Sequence, residues 1–163
     1  MLKFIIALLL FLGLEGYILY KSDEANASVT FQQAKQVWSV LQNKAGYHVN
    51  LHYDDDINSN AYNNYKNIYI TQGMLDDLKN IDQLTMVLGH ELSHFIHQDY
   101  RVEEGNSNHE LNADKLGYYY CSKLANKFKC LSFLKRMKAI YGEEGNDGVH
   151  PTWTYRYNKL KNL

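Results

Sequence analysis

An α+β fold, mainly helical and built around one small, mostly antiparallel sheet, is what this sequence predicts. Three observations carry the prediction. Long stretches place apolar residues at three- and four-residue steps, the period of a helix face. Only three short stretches, all between residues 47 and 71, read as strands. At 45% hydrophobic and 21% charged, with one Pro and 10 Gly, the composition is that of an ordinary globular domain. The 163 residues leave room for one such domain. With 17 basic and 18 acidic side chains the net charge is −1, which excludes the basic footprint of a nucleic-acid binder.

The N-terminus differs from the rest. Lys3 precedes a run from Phe4 to Leu14 that is apolar apart from Gly13, and Glu15 interrupts before Tyr17–Tyr20 turns apolar again. The uninterrupted run suits a signal-peptide core of roughly 7 to 15 residues better than a spanning helix of about 20. Ala25-Asn26-Ala27 is an A-x-A site whose small side chains fit a signal peptidase. The expected division is therefore a signal peptide or membrane anchor at 1–27 and a folded domain at 28–163. Both outcomes mean export, to the periplasm or medium, or a membrane tether through residues 4–20. Without residues 1–27 the chain is formally neutral.

In the remainder, Thr30 caps a helix carrying Ala34, Val37, Trp38, Leu41 and Ala45, and Gly46 ends it. Tyr47–Tyr53 alternates with Val49 and Leu51 on one face. Asp54-Asp55-Asp56 through Asn60 is a polar turn, and Ala61–Tyr65 and Asn67–Thr71 are two further strands. The Asn-rich stretch Asn58–Asn67 reads as surface and turns. A short helix spans Met74–Leu78, and Asp82 is the expected cap of a long helix with Leu84, Val87, Leu88, Leu92 and Phe95 inward. Further helices are expected from Glu110 to about Lys127, from Leu131 to Tyr141 and from Pro151 onward, with a loop at 142–148. Cys121 and Cys130 form either a disulfide or two buried thiols, since spacing alone does not show that they meet.

The chemistry lies in Val87–His97, VLGHELSHFIH. His90-Glu91-Leu92-Ser93-His94 is an H-E-x-x-H motif, and positions i and i+4 on a helix share a face, so both imidazoles reach one ion. Glu91 is rotated off that pair, where it can take a proton from a water at the site. A zinc site needs a third protein ligand, and Glu110, in the first turn of the next helix, is the candidate. Asp114 lies one turn further on the same face and can accept the outer N–H of a ligand histidine. Ala113 beside it lets the two helices come close. His97, His48 and His52 read as surface residues, and His109 as an exposed cap.

VLGHELSH, then HELNADKLG, then His150-Pro151-Thr152 with Arg156, resembles the zinc metallopeptidase (gluzincin) family of HtpX, the CAAX prenyl endopeptidase and the periplasmic BepA-like proteases. The resemblance spans about Asn60 to Asn158. It implies a minimal zincin-type domain with one zinc ion per chain held by His90, His94 and Glu110, and Glu91 as general base. It further implies that Asp114 supports a ligand, that His150 stabilises an oxyanion, and that Arg156 is a structural or substrate-facing partner. NAYNNYKNIYITQGML is similar to the family's edge strand, so an extended polypeptide substrate would add along Asn67, Ile68, Tyr69, Ile70 and Thr71. The implied activity is endopeptidase cleavage of unfolded or misfolded envelope polypeptides. The rival from another class is a zinc-containing, chaperone-like binding module without turnover.

Overall fold

Thr30 opens the first helix, α1 (Phe31–Ala45), in this computed structural model, which describes residues 28–64, 66–98, 107–143 and 150–163. The export segment expected at 1–27, with its A-x-A site and tether, lies outside the described residues, as do residues 144–148 of the expected loop. Thr30 and Gln33 cap each other: Gln33 N–H donates to Thr30 Oγ1 at 3.2 Å, and Thr30 N–H to Gln33 Oε1 at 2.8 Å. Gly46 closes the helix at φ 72°, a left-handed position that suits glycine.

Strand β1 (Asn50–Asp54) begins later than the alternation from Tyr47 predicts. Val49 is the reason. Its N–H donates to Gln42 Oε1 at 2.9 Å and its C=O accepts from Trp38 Nε1 at 2.8 Å, so it is tied to α1 and not to the sheet. Strands β2 (Ala61–Asn63) and β3 (Asn67–Thr71) follow, and the order across the sheet is β1–β3–β2. The longer ladder, Asn50↔Asn67 to Asp54↔Thr71, is parallel, whereas β2 and β3 pair antiparallel. The α+β class holds, but the sheet is mixed and not mostly antiparallel. Ile68 and Ile70 are fully buried, so burial draws the most apolar strand to the centre and leaves the polar β1 and β2 outside.

That order corrects the expected docking strand. β3 has a hydrogen-bonded neighbour on each side, so Asn67, Ile68, Tyr69, Ile70 and Thr71 have no edge to offer an extended peptide. The outer edge on that side belongs to β2. Thr71 then caps α2 (Gln72–Asp77), its Oγ1 accepting from Met74 N–H at 3.1 Å and donating to Asn58 C=O at 2.7 Å. The loop ahead of β2 is thereby pinned to the end of β3.

Helix α3 (Ile81–His97) is capped by Asn80, whose Oδ1 accepts the Gln83 N–H at 2.9 Å, and not by Asp82. Asp82 instead accepts the Asn126 N–H at 2.9 Å, in the turn between α4 (Ser107–Leu124) and α5 (Lys127–Tyr141). Asn126 caps α5, which therefore starts one turn earlier than Leu131. Thr152 caps α6 (Trp153–Leu160), leaving Pro151 just ahead of the helix it was expected to open.

α3 runs through the centre, with α1, β2, α4 and α5 against it and Leu84, Met86, Leu88 and Leu92 fully buried. Glycine permits the close approach of α4. A Cβ on Gly117 would stand 2.8 Å from Met86 O and 2.9 Å from His90 N, and one on Gly89 would stand 2.9 Å from Gly117 Cα. Ala113 is fully buried in the same helix. Cys121 and Cys130 are bonded, with S–S 2.09 Å and Cα–Cα 6.0 Å, and join α4 to α5. Among the described residues no helix is long and apolar enough to cross a membrane.

Candidate metal centre

The period of α3 places His90 and His94 one turn apart on one face, with Nε2 atoms 3.0 Å from each other. The first turn of α4 brings Glu110 over them. Its Oε1 is 3.2 Å from His94 Nε2 and its Oε2 is 3.4 Å from His90 Nε2. Ligand atoms from the three residues all lie within 4.8 Å of one another, so the group could hold one metal ion. Two imidazole nitrogens and one carboxylate oxygen are donors that suit zinc, and three protein ligands leave a fourth position open.

One turn beyond Glu110, Asp114 accepts from His90 Nδ1 at 3.0 Å. That bond fixes the ring and directs Nε2 toward Glu110. Asp114 is itself held by Arg156, whose Nε donates to Oδ2 at 2.7 Å and Nη2 to Oδ1 at 2.6 Å. Arg156 is 5% exposed and its guanidinium lies 4.6 Å from the Trp153 ring centroid. It lines the cleft but is tied to Asp114, with Nη2 also 3.9 Å from Glu110 Oε2, so it supports the site and is not a free cation. Helices α3, α4 and α6 are thus linked by a chain from ligand to carboxylate to guanidinium.

The electrostatics favour positive charge at the centre. Burial disfavours the imidazolium of His90, but Asp114 and Glu110 outweigh it and raise His90 to about 10. Burial also works against the charged form of His94, yet Glu110 holds its pKa above the ordinary histidine value. Burial alone would raise Glu110, but the two histidines facing it hold its carboxyl far below the usual range. Asp114 follows the same pattern, with Arg156 the chief counterweight to burial. A set of carboxylates that retains a proton on its histidines is also suited to retain a metal cation in that proton's place.

Glu91 is 7% exposed, lines the same cleft as the triad and is not one of the three clustered ligand residues. Burial, the largest influence, lifts its carboxyl above the ordinary range. Its Oε2 accepts from Asn63 Nδ2 at 3.2 Å. A cleft of about 570 Å³ opens here. Asn60, Ala61 and Asn63 line it with His90, Glu91, His94 and Glu110, and Met74, Val87, Phe133, Met137 and Trp153 supply its apolar lining.

His150 is exposed at the rim, its Nε2 3.8 Å from Glu110 Oε1. His109 is half-buried and lines the cleft, where an exposed cap was expected, because α4 begins at Ser107 and already turns that position inward. His97 is exposed and bonds back to Ser93 O at 2.9 Å, and His48 and His52 are also exposed. Sequence reasoning missed Asn63, grouped with surface asparagines, and missed the Gly89–Gly117 contact and the apolar lining with Phe133 and Met137. The one local signal was the two glycines, each unusual inside a helix. Nothing local marks the other residues.

Residues 23–108 match the model of Peptidase family M48, more than half of the chain. No curated protein and no solved structure matches it. The matched stretch includes β2, β3 and the H-E-x-x-H helix and ends before Glu110, so the third ligand rests on geometry.

Proposed function

From the premise that this chain belongs to peptidase family M48, we propose that it is a zinc metalloendopeptidase cleaving unfolded or misfolded envelope polypeptides. The observation that carries the reading is the His90–His94–Glu110 cluster with Glu91 beside it, lining an open cleft. His90 and His94 would hold zinc through Nε2 and Glu110 through its carboxylate, one ion per chain. Zinc, when bound, supplies Lewis acidity that lowers the pKa of water to about 7 and polarises a carbonyl.

The residues of the chain do the rest. Glu91 takes the proton of the attacking water and later delivers it to the leaving amine nitrogen. His150, at the rim, donates toward the oxygen of the reacting carbonyl. Asp114 and Arg156 keep His90 in register during turnover. The outer edge of β2 offers backbone groups to an extended chain, a mode of binding that reads little sequence. The apolar lining with Phe133 and Met137 suits side chains that only an unfolded polypeptide exposes.

Export through residues 1–27, removed or kept as an anchor, completes the reading. The Cys121–Cys130 bond supports it, since disulfides persist in oxidising compartments. The test is cleavage of casein by the zinc-loaded protein beside its Glu91→Gln variant. The variant retains zinc and loses cleavage by at least about 100-fold. Undiminished cleavage by the variant refutes the assignment, and zinc without cleavage in either protein points to the binding module instead.

A further inference from the structure

Asn63 occupies an unusual place for an amide. Alternation along β2 sends Tyr62 outward, where it stacks on Tyr69 with centroids 4.9 Å apart, and turns Ala61 and Asn63 toward α3. A polar group on that inner face needs a partner, and the one it has is the Glu91 carboxylate. Among the described residues, no other side chain is seen donating to that carboxylate.

The main chain of the same residue faces the cleft edge. Thr71 N–H donates to Asn60 C=O and Asn64 N–H to Asn67 C=O, at 3.0 and 2.9 Å. In an antiparallel ladder the pairs that exchange bonds alternate with pairs that do not. Residues 60, 62 and 64 therefore bond inward to β3, and the N–H and C=O of Ala61 and Asn63 turn to the outer edge. Tyr62 keeps the strand in place by donating across β3 to Asp54 Oδ2 at 2.7 Å.

We propose that Asn63 is a positioning residue for the base: its side chain clamps Glu91 Oε2 while its main chain receives the substrate strand. The inference rests on the assignment of Glu91 as general base. With Oε2 held, Oε1 is the oxygen presented to the reacting water. An amide suits the task because it donates without a charge that would neutralise the base and without titrating. A peptide seated on the edge at Asn63 is thereby set in register with the carboxylate that serves it, and orientation of this kind carries large rate factors.

The experiment compares the zinc-loaded full chain with Asn63→Ala, Asn63→Asp and Glu91→Gln, reading zinc content, kcat and KM on an unfolded polypeptide. The Asn63 side-chain amide resonance is followed by ¹⁵N NMR. Asn63→Ala retains zinc and lowers kcat about 10- to 100-fold with KM nearly unchanged. Asn63→Asp, which keeps the shape but sets a carboxylate against Glu91, loses more. The Asn63 amide resonance moves in Glu91→Gln. An unchanged kcat in both Asn63 variants, a loss confined to KM, or a kcat loss matched by lost zinc overturns the proposal while leaving the base assignment intact. Full activity in Glu91→Gln overturns the assignment and the proposal together.

Discussion

The candidate metal centre has two halves made by different means. On α3, His90 and His94 share a face because a helix repeats every 3.6 residues, and no other part of the molecule is needed for that. On α4, Glu110 and Asp114 share a face for the same reason, but their distance from the histidines depends on how two helices meet. The Gly89–Gly117 contact, the buried Ala113, the Cys121–Cys130 bond and Arg156 from α6 all contribute to that meeting. The first half is local geometry and the second is packing. Damage to the first should cost metal, and damage to the second should cost metal and fold together.

The sharpest break in that contrast is Asp114→Ala. It removes both hydrogen bonds of the buried Arg156 and leaves it only Glu110, 3.9 Å away, as a charge partner, which costs about 3 kcal/mol, and it weakens zinc affinity about 10- to 100-fold. His94→Ala abolishes zinc retention with less than half that loss of stability. Denaturant midpoints of the metal-free proteins, beside zinc titrations, compare the two. Equal destabilisation by both would mean that α4 is not held by packing of this kind.

A smaller effect is expected from Gly117→Ala. The three nearest atoms its Cβ would meet all belong to the backbone of α3, so the helices must separate, at about 1–3 kcal/mol. Zinc affinity falls with it, because Glu110 moves with α4. Lys115→Ala, exposed on the same helix, changes stability by no more than about 0.5 kcal/mol. Thermal melts with and without zinc measure both.

The subtlest test concerns protons. With His90 raised to about 10 by Asp114 and Glu110, the metal-free site carries a proton on its histidines at pH 7. Zinc must expel it, since only a neutral imidazole ligates. Binding is therefore expected to release at least one proton at pH 7 and to strengthen about tenfold per pH unit for each proton released. Calorimetry in buffers of different ionisation enthalpy counts them. No release would show that the two halves do not share charge as their geometry implies.

Much of the fold was legible in the chain. Thr30 and Gly46 mark α1 by cap chemistry alone, and the apolar period of α3 places its inward face correctly. The family resemblance read from VLGHELSH and its companions agrees with the match over residues 23–108. Cap identity was less legible in α3, where Asp82 was expected and Asn80, two residues earlier, holds the place. Strand order was wrong in one respect that mattered. The segment ahead of the motif was read as an edge, yet only β2 within it is one, since β3 lies at the centre.

The amino-acid sequence by itself determined the features that depend on residues within one or two turns: the helices, most of their caps, and the pairing of His90 with His94 beside Glu91. Tertiary structure alone decided that β2 is the exposed edge, that Asn63 turns inward to Glu91, and that Arg156 is buried against Asp114. It also decided the bond between Cys121 and Cys130. The physical reason is the range of the forces that choose. Helix periodicity and capping are settled by near neighbours along the chain, whereas edge position and interhelical distance follow from competition among distant segments for burial.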